Sequence, residues 1–286
     1  MLEVIKETLI DSIKLLPFLF ITYLIMEYIE HKISHKTKET IEKSGKFGPL
    51  IGSLLGILPQ CGFSVAATNF YSARVITLGT LISIYLTTSD EMIPILLSEA
   101  VSVDVIFKIL GIKLVVGIIA GFIIDLVIRL ISNKKEENEE DKIEDICKHE
   151  HCHCEEGILR SSLKHTLSIF AFIIIITFII NTVIFFIGED NLALFVSNNP
   201  IIAPILAGII GLIPNCASSV ILTQLYLQNV ISVSAMLAGL FVGTGVGLAV
   251  LFKTNKNIKE NIKIVILLYC VGVMAGIILQ LIGFKI

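Results

Sequence analysis

The feature that most constrains this chain is a run of 62 residues, Asn191 to Phe252, that contains no Asp, Glu, Lys or Arg. A helix needs about 20 apolar residues to cross the hydrocarbon core of a membrane, so this run is long enough for about three crossings. Charged residues are only 16% of the 286 positions and the mean hydropathy is +0.87, against about 25% charged in an ordinary soluble domain. The chain is therefore predicted to be an integral membrane protein.

This composition excludes a disordered chain, a secreted disulfide scaffold and a nucleic-acid-binding protein. The apolar runs are also longer and less alternating than the strands of a transmembrane barrel. The first apolar stretch, residues 9–29, contains three charged residues and no small-residue cleavage pattern follows it, so we interpret it as a retained helix. The predicted class is an all-α, polytopic membrane protein in contact with lipid, whose oligomeric state the sequence leaves open.

An internal repeat divides the chain. Residues 56–71 read GILPQCGFSVAATNFY and residues 211–226 read GLIPNCASSVILTQLY, an offset of 155 that continues without a gap as far as Gly121 and Gly276. We therefore predict a first membrane repeat over 1–131, a charged linker over 132–155 and a second membrane repeat over 156–286.

The distribution of lysine indicates how the repeats are oriented, because cytoplasmic loops are enriched in Lys and Arg. The segment before the first repeat core is rich in lysine, whereas its counterpart at 187–201 has none; after the core, residues 253–263 hold four lysines and 98–108 hold one. Equivalent loops are thus expected on opposite sides of the membrane. The prediction is two inverted-topology repeats of about five helices each, with the linker cytoplasmic and both termini outside. Re-entrant hairpins with three full crossings per repeat are the alternative.

Proline interrupts each repeat core. Pro59-Gln60-Cys61 and Pro214-Asn215-Cys216 place a side-chain amide and a thiol directly after a residue that cannot donate a helical hydrogen bond. Inverted repeats with broken helices are typical of secondary transporters, whose site lies where the two interruptions meet. Backbone carbonyls released there can bind a cation. A simple proline kink, with the amides bonded to backbone, is the structural alternative.

A second polar group follows in the first repeat. Thr87, Ser89, Asp90 and Glu91 lie between apolar segments, and the equivalent positions of the second repeat, around Thr244, have glycine in place of carboxylates. Ionisable residues inside a membrane mark ion paths or proton relays, so these residues are predicted to bind a cation, with Asp90 or Glu91 as proton carrier. A solvated surface loop is the alternative.

The linker is dense in soft and borderline metal ligands. Their spacing matches no standard zinc finger, and we expect a flexible, low-specificity chelating segment whose thiols stay reduced in the cytoplasm. An acidic linker with incidental Cys and His is the alternative. The candidate ligands are Cys147, His149, His151, Cys152, His153 and Cys154.

Several further residues carry structural expectations. The glycines of 117–121, 243–247 and 272–276 are expected in helix packing. Cys270 is expected in the core, and Asp125 is expected to pair with Arg129 one helical turn away. Arg74, between two core segments, is expected to reach the membrane interface; a partner for Asp90 or for a substrate anion is the alternative.

These motifs also carry a family resemblance. LPQCGFS and ITLGTLISIYLTTSDE in the first repeat, with LIPNCASSVILTQLY in the second, resemble the ten-helix heavy-metal exporters of bacteria and archaea. Members of that family are labelled arsenic efflux protein or manganese transporter. The resemblance covers both repeats and leaves the linker aside. It implies export of a metal or metalloid without deciding which.

The function predicted from these features is a plasma-membrane permease that exports a divalent cation, with manganese preferred because its oxygen ligands dominate the candidate site. We expect an ion gradient to drive it, because the chain has no Walker motif. Beyond the transported metal it should need no cofactor, and it should not be an enzyme. The alternatives are arsenite or soft-metal efflux through Cys61 and Cys216, an organic-solute or anion permease, and a membrane-anchored metal sensor.

Overall fold

The computed structural model describes residues 47–58, 62–89, 92–132 and 202–284, together with scattered positions within 13–24 and 163–182. All regular secondary structure in this described part is helical. The ten helices of its four continuous stretches are α1 (Gly48–Gly56), α2 (Gly62–Ser72), α3 (Leu78–Thr87), α4 (Met92–Ser98), α5 (Val103–Ser132), α6 (Ala203–Gly211), α7 (Ala217–Leu227), α8 (Val233–Val242), α9 (Gly247–Thr254) and α10 (Ile258–Leu281).

Three segments of the described part are long and apolar enough to cross a membrane: Val103–Ile131, Val233–Thr254 and Ile258–Leu281. The first and last coincide with α5 and α10, which expose most of their apolar side chains as a lipid-facing helix does. The middle segment contains both α8 and α9 and is almost wholly buried by the rest of the protein. The prediction of an all-α membrane protein is confirmed.

The backbone repeats at the offset found in the sequence. Helices α1, α2 and α3 begin and end 155 positions before α6, α7 and α8, and the starts of α4 and α5 precede those of α9 and α10 by the same amount. The local causes repeat too. Thr77 and Ser232 cap the N-termini of α3 and α8 by accepting a hydrogen bond from the backbone N–H three residues on.

Most of the ten helices are too short to cross a membrane alone. At 1.5 Å per residue, the 11 residues of α2 extend about 16 Å. Residues 212–216, which include Pro214, separate α6 from α7, and residues 243–246 separate α8 from α9. In the second interruption Gly245 has φ 55°, a left-handed conformation that glycine adopts without strain. The spans of the described core are therefore broken.

Glycine allows the long helices to approach the broken ones. A Cβ on Gly121 of α5 would lie 2.8 Å from the Gly79 carbonyl oxygen at the start of α3. A Cβ on Gly276 of α10 would lie 2.4 Å from Ala238 Cβ in α8. Helix α5 thus packs on α3, and α10 packs on α8, through the small residues expected of membrane helix interfaces.

The two halves exchange contacts reciprocally. Helix α2 packs against α9 of the other half, while its counterpart α7 packs against α4, the counterpart of α9; α3 and α8 touch each other. This pattern is that of a pseudo-two-fold relation, in which one patch meets its own equivalent. The interrupted spans therefore lie at the centre, with α5 and α10 outside them.

Two structural expectations are wrong and a third holds only in part. Cys270 is exposed on α10, not in the core. Asp125 does not pair with Arg129: its carboxylate accepts hydrogen bonds from Thr77 Oγ1 at 2.7 Å and from the Gly79 N–H at 2.9 Å, because the first turn of α3 leaves N–H groups to satisfy. The expectation that the glycines of 243–247 serve helix packing holds at Gly247, where a Cβ would lie 3.0 Å from Ser64 Cβ of α2, whereas residues 243–246 form the interruption between α8 and α9.

Candidate functional site

The interruption between α8 and α9 is in direct contact with the first turns of α2. Ser64 Oγ donates a hydrogen bond to the Thr244 carbonyl oxygen at 2.8 Å. One turn further along α2, Thr68 Oγ1 lies 3.2 Å from the Gly247 carbonyl oxygen and 2.6 Å from Tyr85 Oη of α3. Because α2 begins directly after the Pro59-Gln60-Cys61 motif, the structure brings the helix that follows one predicted interruption onto the break in the other half.

The end of α3 contributes a buried run of hydroxyl groups. Thr87 Oγ1, Thr88 Oγ1 and Ser89 Oγ donate to backbone carbonyls at 2.9, 2.7 and 3.0 Å. These bonds use each hydroxyl proton within the helix end and leave oxygen lone pairs as acceptors. The C-terminus of α3 is therefore surrounded by oxygen atoms, and the aligned carbonyls of the helix give it partial negative charge.

Lys113 reaches this place from the middle of α5. Its side chain is fully buried, with 0% exposure. Its Nζ donates to the Thr88 carbonyl oxygen at 2.5 Å and to the Leu240 carbonyl oxygen at 3.0 Å. Thr88 ends α3 and Leu240 lies in the last turn of α8. One ammonium group thus touches the broken ends of both halves.

Thr244 adds an unpartnered oxygen. Its hydroxyl is buried, with the residue 1% exposed, and within the described part of the chain Oγ1 has no hydrogen-bond partner. Leaving a buried hydroxyl unpaired costs about 1–3 kcal/mol. Thr244 occupies the position equivalent to Ser89, 155 residues earlier, so each half presents a hydroxyl at its break.

The predicted site residues fall into two groups. Five are described, and all are buried at the interruptions: Thr87, Ser89, Asn215, Cys216 and Thr244. Cys216 lies immediately before the first residue of α7. The others lie outside the described residues: Gln60, Cys61, Asp90 and Glu91, and in the linker Cys147, His149, His151, Cys152, His153 and Cys154. No cluster of three or more His, Cys, Asp or Glu side chains exists among the residues that the structure describes.

Arg74 lies apart from the break. Its guanidinium forms a bidentate pair with Glu260 at the start of α10, at 2.6 and 2.8 Å, and Tyr71 donates a hydrogen bond to the same carboxylate. The pair is partly exposed, with side-chain exposures of 35% and 21%. It joins the first half to the second, which excludes Arg74 as a cation held ready for a substrate anion in this conformation.

Two residues of the site escaped the sequence analysis. Ser64 lay in the repeat but outside the proline motif, and only the contact with the other half identifies it. Lys113 had a usable signal, because it is the one charged residue between Lys108 and Asp125 of a 29-residue apolar segment, and such residues face protein or water rather than lipid.

Broken, buried spans are typical of membrane transport proteins. Comparison with known families is specific. The model of the family described as "Putative, 10TM heavy-metal exporter" matches residues 2–162 and 130–248. The chain belongs to this family, as its motifs indicated. No curated protein and no solved structure matches the chain.

Proposed function

We propose that this member of the exporter family carries a divalent metal cation, manganese for preference, out of the cell across the plasma membrane. In this proposal the chain is a permease of two inverted repeats of five helices, divided as 1–131 and 156–286 with a cytoplasmic linker between them. An ion gradient drives export. The termini lie outside the cell.

One observation carries the proposal of a cation. The broken ends of α3 and α8 meet around an ammonium group, which is bonded to the Thr88 and Leu240 carbonyl oxygens. Helix C-termini and released carbonyls favour positive charge. The carbonyl oxygens that accept from this buried ammonium group are of the kind that a metal-cation substrate also takes.

The ligands available at this place are oxygen atoms. Ser89 and Thr244 present equivalent hydroxyls, and Thr87 precedes them in α3. Asp90 and Glu91 are joined in the chain between Ser89 and Met92, which are both buried, and we propose them as the carboxylate ligands. Gln60 and Asn215 would add amide oxygens. Manganese prefers this oxygen-rich set.

A soft-metal substrate is the second candidate, and one observation favours it. Cys216 is a buried cysteine, with only 6% exposure, beside the interruption between α6 and α7. With Cys61 at the equivalent position of the first half, two thiols could bind arsenite or a soft metal. An anion permease would have to use Lys113 as its cation, because Arg74 is already paired with Glu260.

Transport by proteoliposomes tests the proposal. Purified full-length protein would be assayed with manganese, zinc, cobalt, cadmium and arsenite, each with and without a pH gradient. We expect manganese flux that depends on the gradient, and its loss in Asp90→Asn and Glu91→Gln at normal protein yield. Wild-type flux in both variants would refute the carboxylate site.

The thiol variants separate the two candidates. Under the manganese proposal Cys61→Ser and Cys216→Ser should retain manganese flux, because serine keeps the size of the residue. Arsenite flux that disappears in these variants would move the substrate site to the thiols. Deletion of 136–156 should alter regulation but leave turnover, whereas complete inactivity would support the metal-sensor alternative.

A further inference from the structure

Two carbonyl oxygens that accept from Lys113, those of Thr88 and Leu240, are oxygens that the helix breaks release. In a continuous helix the Leu240 carbonyl would accept from the N–H of residue 244, and the Thr88 carbonyl from that of residue 92. The last helical bonds at the two ends are instead Gly243 N–H to Gly239 and Thr88 N–H to Ile84, at 2.8 and 2.9 Å. Lys113 Nζ therefore occupies acceptors that exist only because both spans are interrupted.

An ammonium group and a metal cation need the same surroundings. Lysine offers three donors and no acceptor, so it requires converging oxygen atoms when buried. Hard divalent cations also take carbonyl and hydroxyl oxygens. Two cations at one set of oxygens repel each other, and in a buried site this repulsion is weakly screened.

We propose that the Lys113 ammonium group substitutes for the substrate cation. It occupies the released carbonyls when no metal is bound and leaves them when metal enters. This inference rests on the proposed cation transport. Its consequence is that the site is never without positive charge. After it releases metal, the protein can then return its empty site to the other side of the membrane without leaving unpaired carbonyl oxygens inside the membrane, which would be costly.

The asymmetry of the two halves supports a single device of this kind. The position equivalent to Lys113 in α10 is Leu268, which is also fully buried. If the lysine only stabilised the packing of a long helix on a broken one, it would be expected in both halves. The packing of α5 on α3 is equivalent to the packing of α10 on α8. Only the first half, which also contains Asp90 and Glu91, has the ammonium group.

Manganese binding and turnover in Lys113 variants test the inference. Full-length protein in lipid nanodiscs would be titrated with Mn²⁺, with free ion measured by its paramagnetic resonance signal, and efflux measured in proteoliposomes. Lys113→Gln keeps N–H donors without the charge. We expect it to bind Mn²⁺ about tenfold more tightly, within the usual range of coupling between two ligands, and to transport it more slowly.

Lys113→Arg should shift binding in the opposite direction. Its guanidinium is always charged and can hold two carbonyls at once, so we expect weaker Mn²⁺ binding. The control is Lys108→Gln on the same helix, where the native lysine is exposed and paired with Asp104; it should match wild type in both measurements.

The outcomes are distinguishable. Unchanged or weaker Mn²⁺ binding in Lys113→Gln overturns the inference, as does a shift in the same direction for Gln and Arg, which would indicate a structural bridge. If Lys113→Gln does not yield folded protein, the Arg variant decides, because unchanged affinity there contradicts competition. Failure of the wild type to bind or transport any tested metal would instead refute the proposed function itself.

Discussion

The two halves of this protein share a backbone and differ in charge. The helix starts recur at an offset of 155 residues throughout, and even the turn after the second helix of each half repeats, with φ 58° at both Arg74 and Asn229. The charged groups near the breaks do not recur. The position equivalent to Lys113 in the second half is Leu268, and the positions equivalent to Asp90 and Glu91 are Gly245 and Val246.

This difference distinguishes the positions that determine the backbone structure from those that we propose to act on the substrate. Positions that are alike in both halves are small residues, caps and interruptions, such as Gly121 with Gly276 and Thr77 with Ser232. Positions that differ carry the formal charges near the breaks. The equivalent breaks of the two halves together form one central site. The formal charges near that site come from the first half.

The largest expected effect is on the side of the membrane from which equivalent positions of the two halves can be labelled. Asp104 and Lys259 are equivalent positions at the starts of α5 and α10, and both are exposed, Asp104 with 75% of its side chain accessible. If the repeats are inverted, Asp104→Cys and Lys259→Cys should react with a membrane-impermeant maleimide from opposite sides. Intact cells and everted vesicles would measure this all-or-none difference.

The labelling needs a background in which the six native cysteines are replaced by serine, and that background chain is its own control. Modification of both introduced cysteines from the same side would contradict inversion. The halves would then be related by an axis along the membrane normal, and the lysine asymmetry of the loops would need another cause.

The next largest effect should come from giving the second half the charge of the first. Leu268 is fully buried at the position equivalent to Lys113. Leu268→Lys would bury an ammonium group without a site that evolved to receive it, and an uncompensated buried charge costs about 3–5 kcal/mol. Thermal unfolding followed by size-exclusion chromatography in detergent should show a large loss of folded protein.

Leu268→Met is the matched control, because a volume-conserving exchange costs less than about 1.5 kcal/mol. A Leu268→Lys variant as stable as wild type would mean that the second half also holds a cation at its broken end. Both halves could then accommodate a buried ammonium group, and the difference in charge would lie only in which residue occupies the position.

The shared glycines should respond alike in the two halves. A methyl group on Gly121 meets the Gly79 carbonyl oxygen at 2.8 Å, and one on Gly276 meets Ala238 Cβ at 2.4 Å. Gly121→Ala and Gly276→Ala should each lower the free energy of unfolding by about 1–3 kcal/mol, the usual cost of overpacking. Unfolding in mixed SDS and detergent micelles measures this.

Gly111→Ala is the control, since a Cβ there has no neighbour within 4 Å. It should be neutral or slightly stabilising, because alanine favours a helix over glycine by about 1 kcal/mol. A large effect at only one of Gly121 and Gly276 would show that the packing is less symmetric than the backbone.

Much of this fold could be predicted from sequence, because hydropathy and an ungapped repeat report on properties that each segment has by itself. The uncharged run gave the class of protein, and the two proline motifs located interruptions; the one at Pro214 is present between α6 and α7. The interruption at 243–246 was predicted only as a polar counterpart to Thr87–Glu91, because glycine in an apolar segment is compatible with both packing and a break.

The candidate site could be predicted only in part, because it depends on contacts between distant segments. Sequence indicated Thr87, Ser89 and Thr244, which lie near the breaks. It could not indicate that Ser64 bonds to Thr244, 180 residues away, or that Lys113 bridges Thr88 and Leu240. Asp125 shows the same limit, since a local i,i+4 rule was overruled by a helix N-terminus 46 residues away.

The smallest effect is expected where the halves differ at the turn after α2 and α7. Arg74 adopts φ 58°, a left-handed conformation that asparagine tolerates better than arginine. Its partly exposed pair with Glu260 contributes up to about 1 kcal/mol. Arg74→Asn therefore loses an ion pair but gains a residue suited to the turn, and its thermal midpoint should stay close to wild type. Arg74→Ala loses the pair without that gain and should be the less stable of the two. If the two variants unfold at the same temperature, the turn does not favour asparagine over alanine, and backbone conformation does not explain why asparagine stands at position 229.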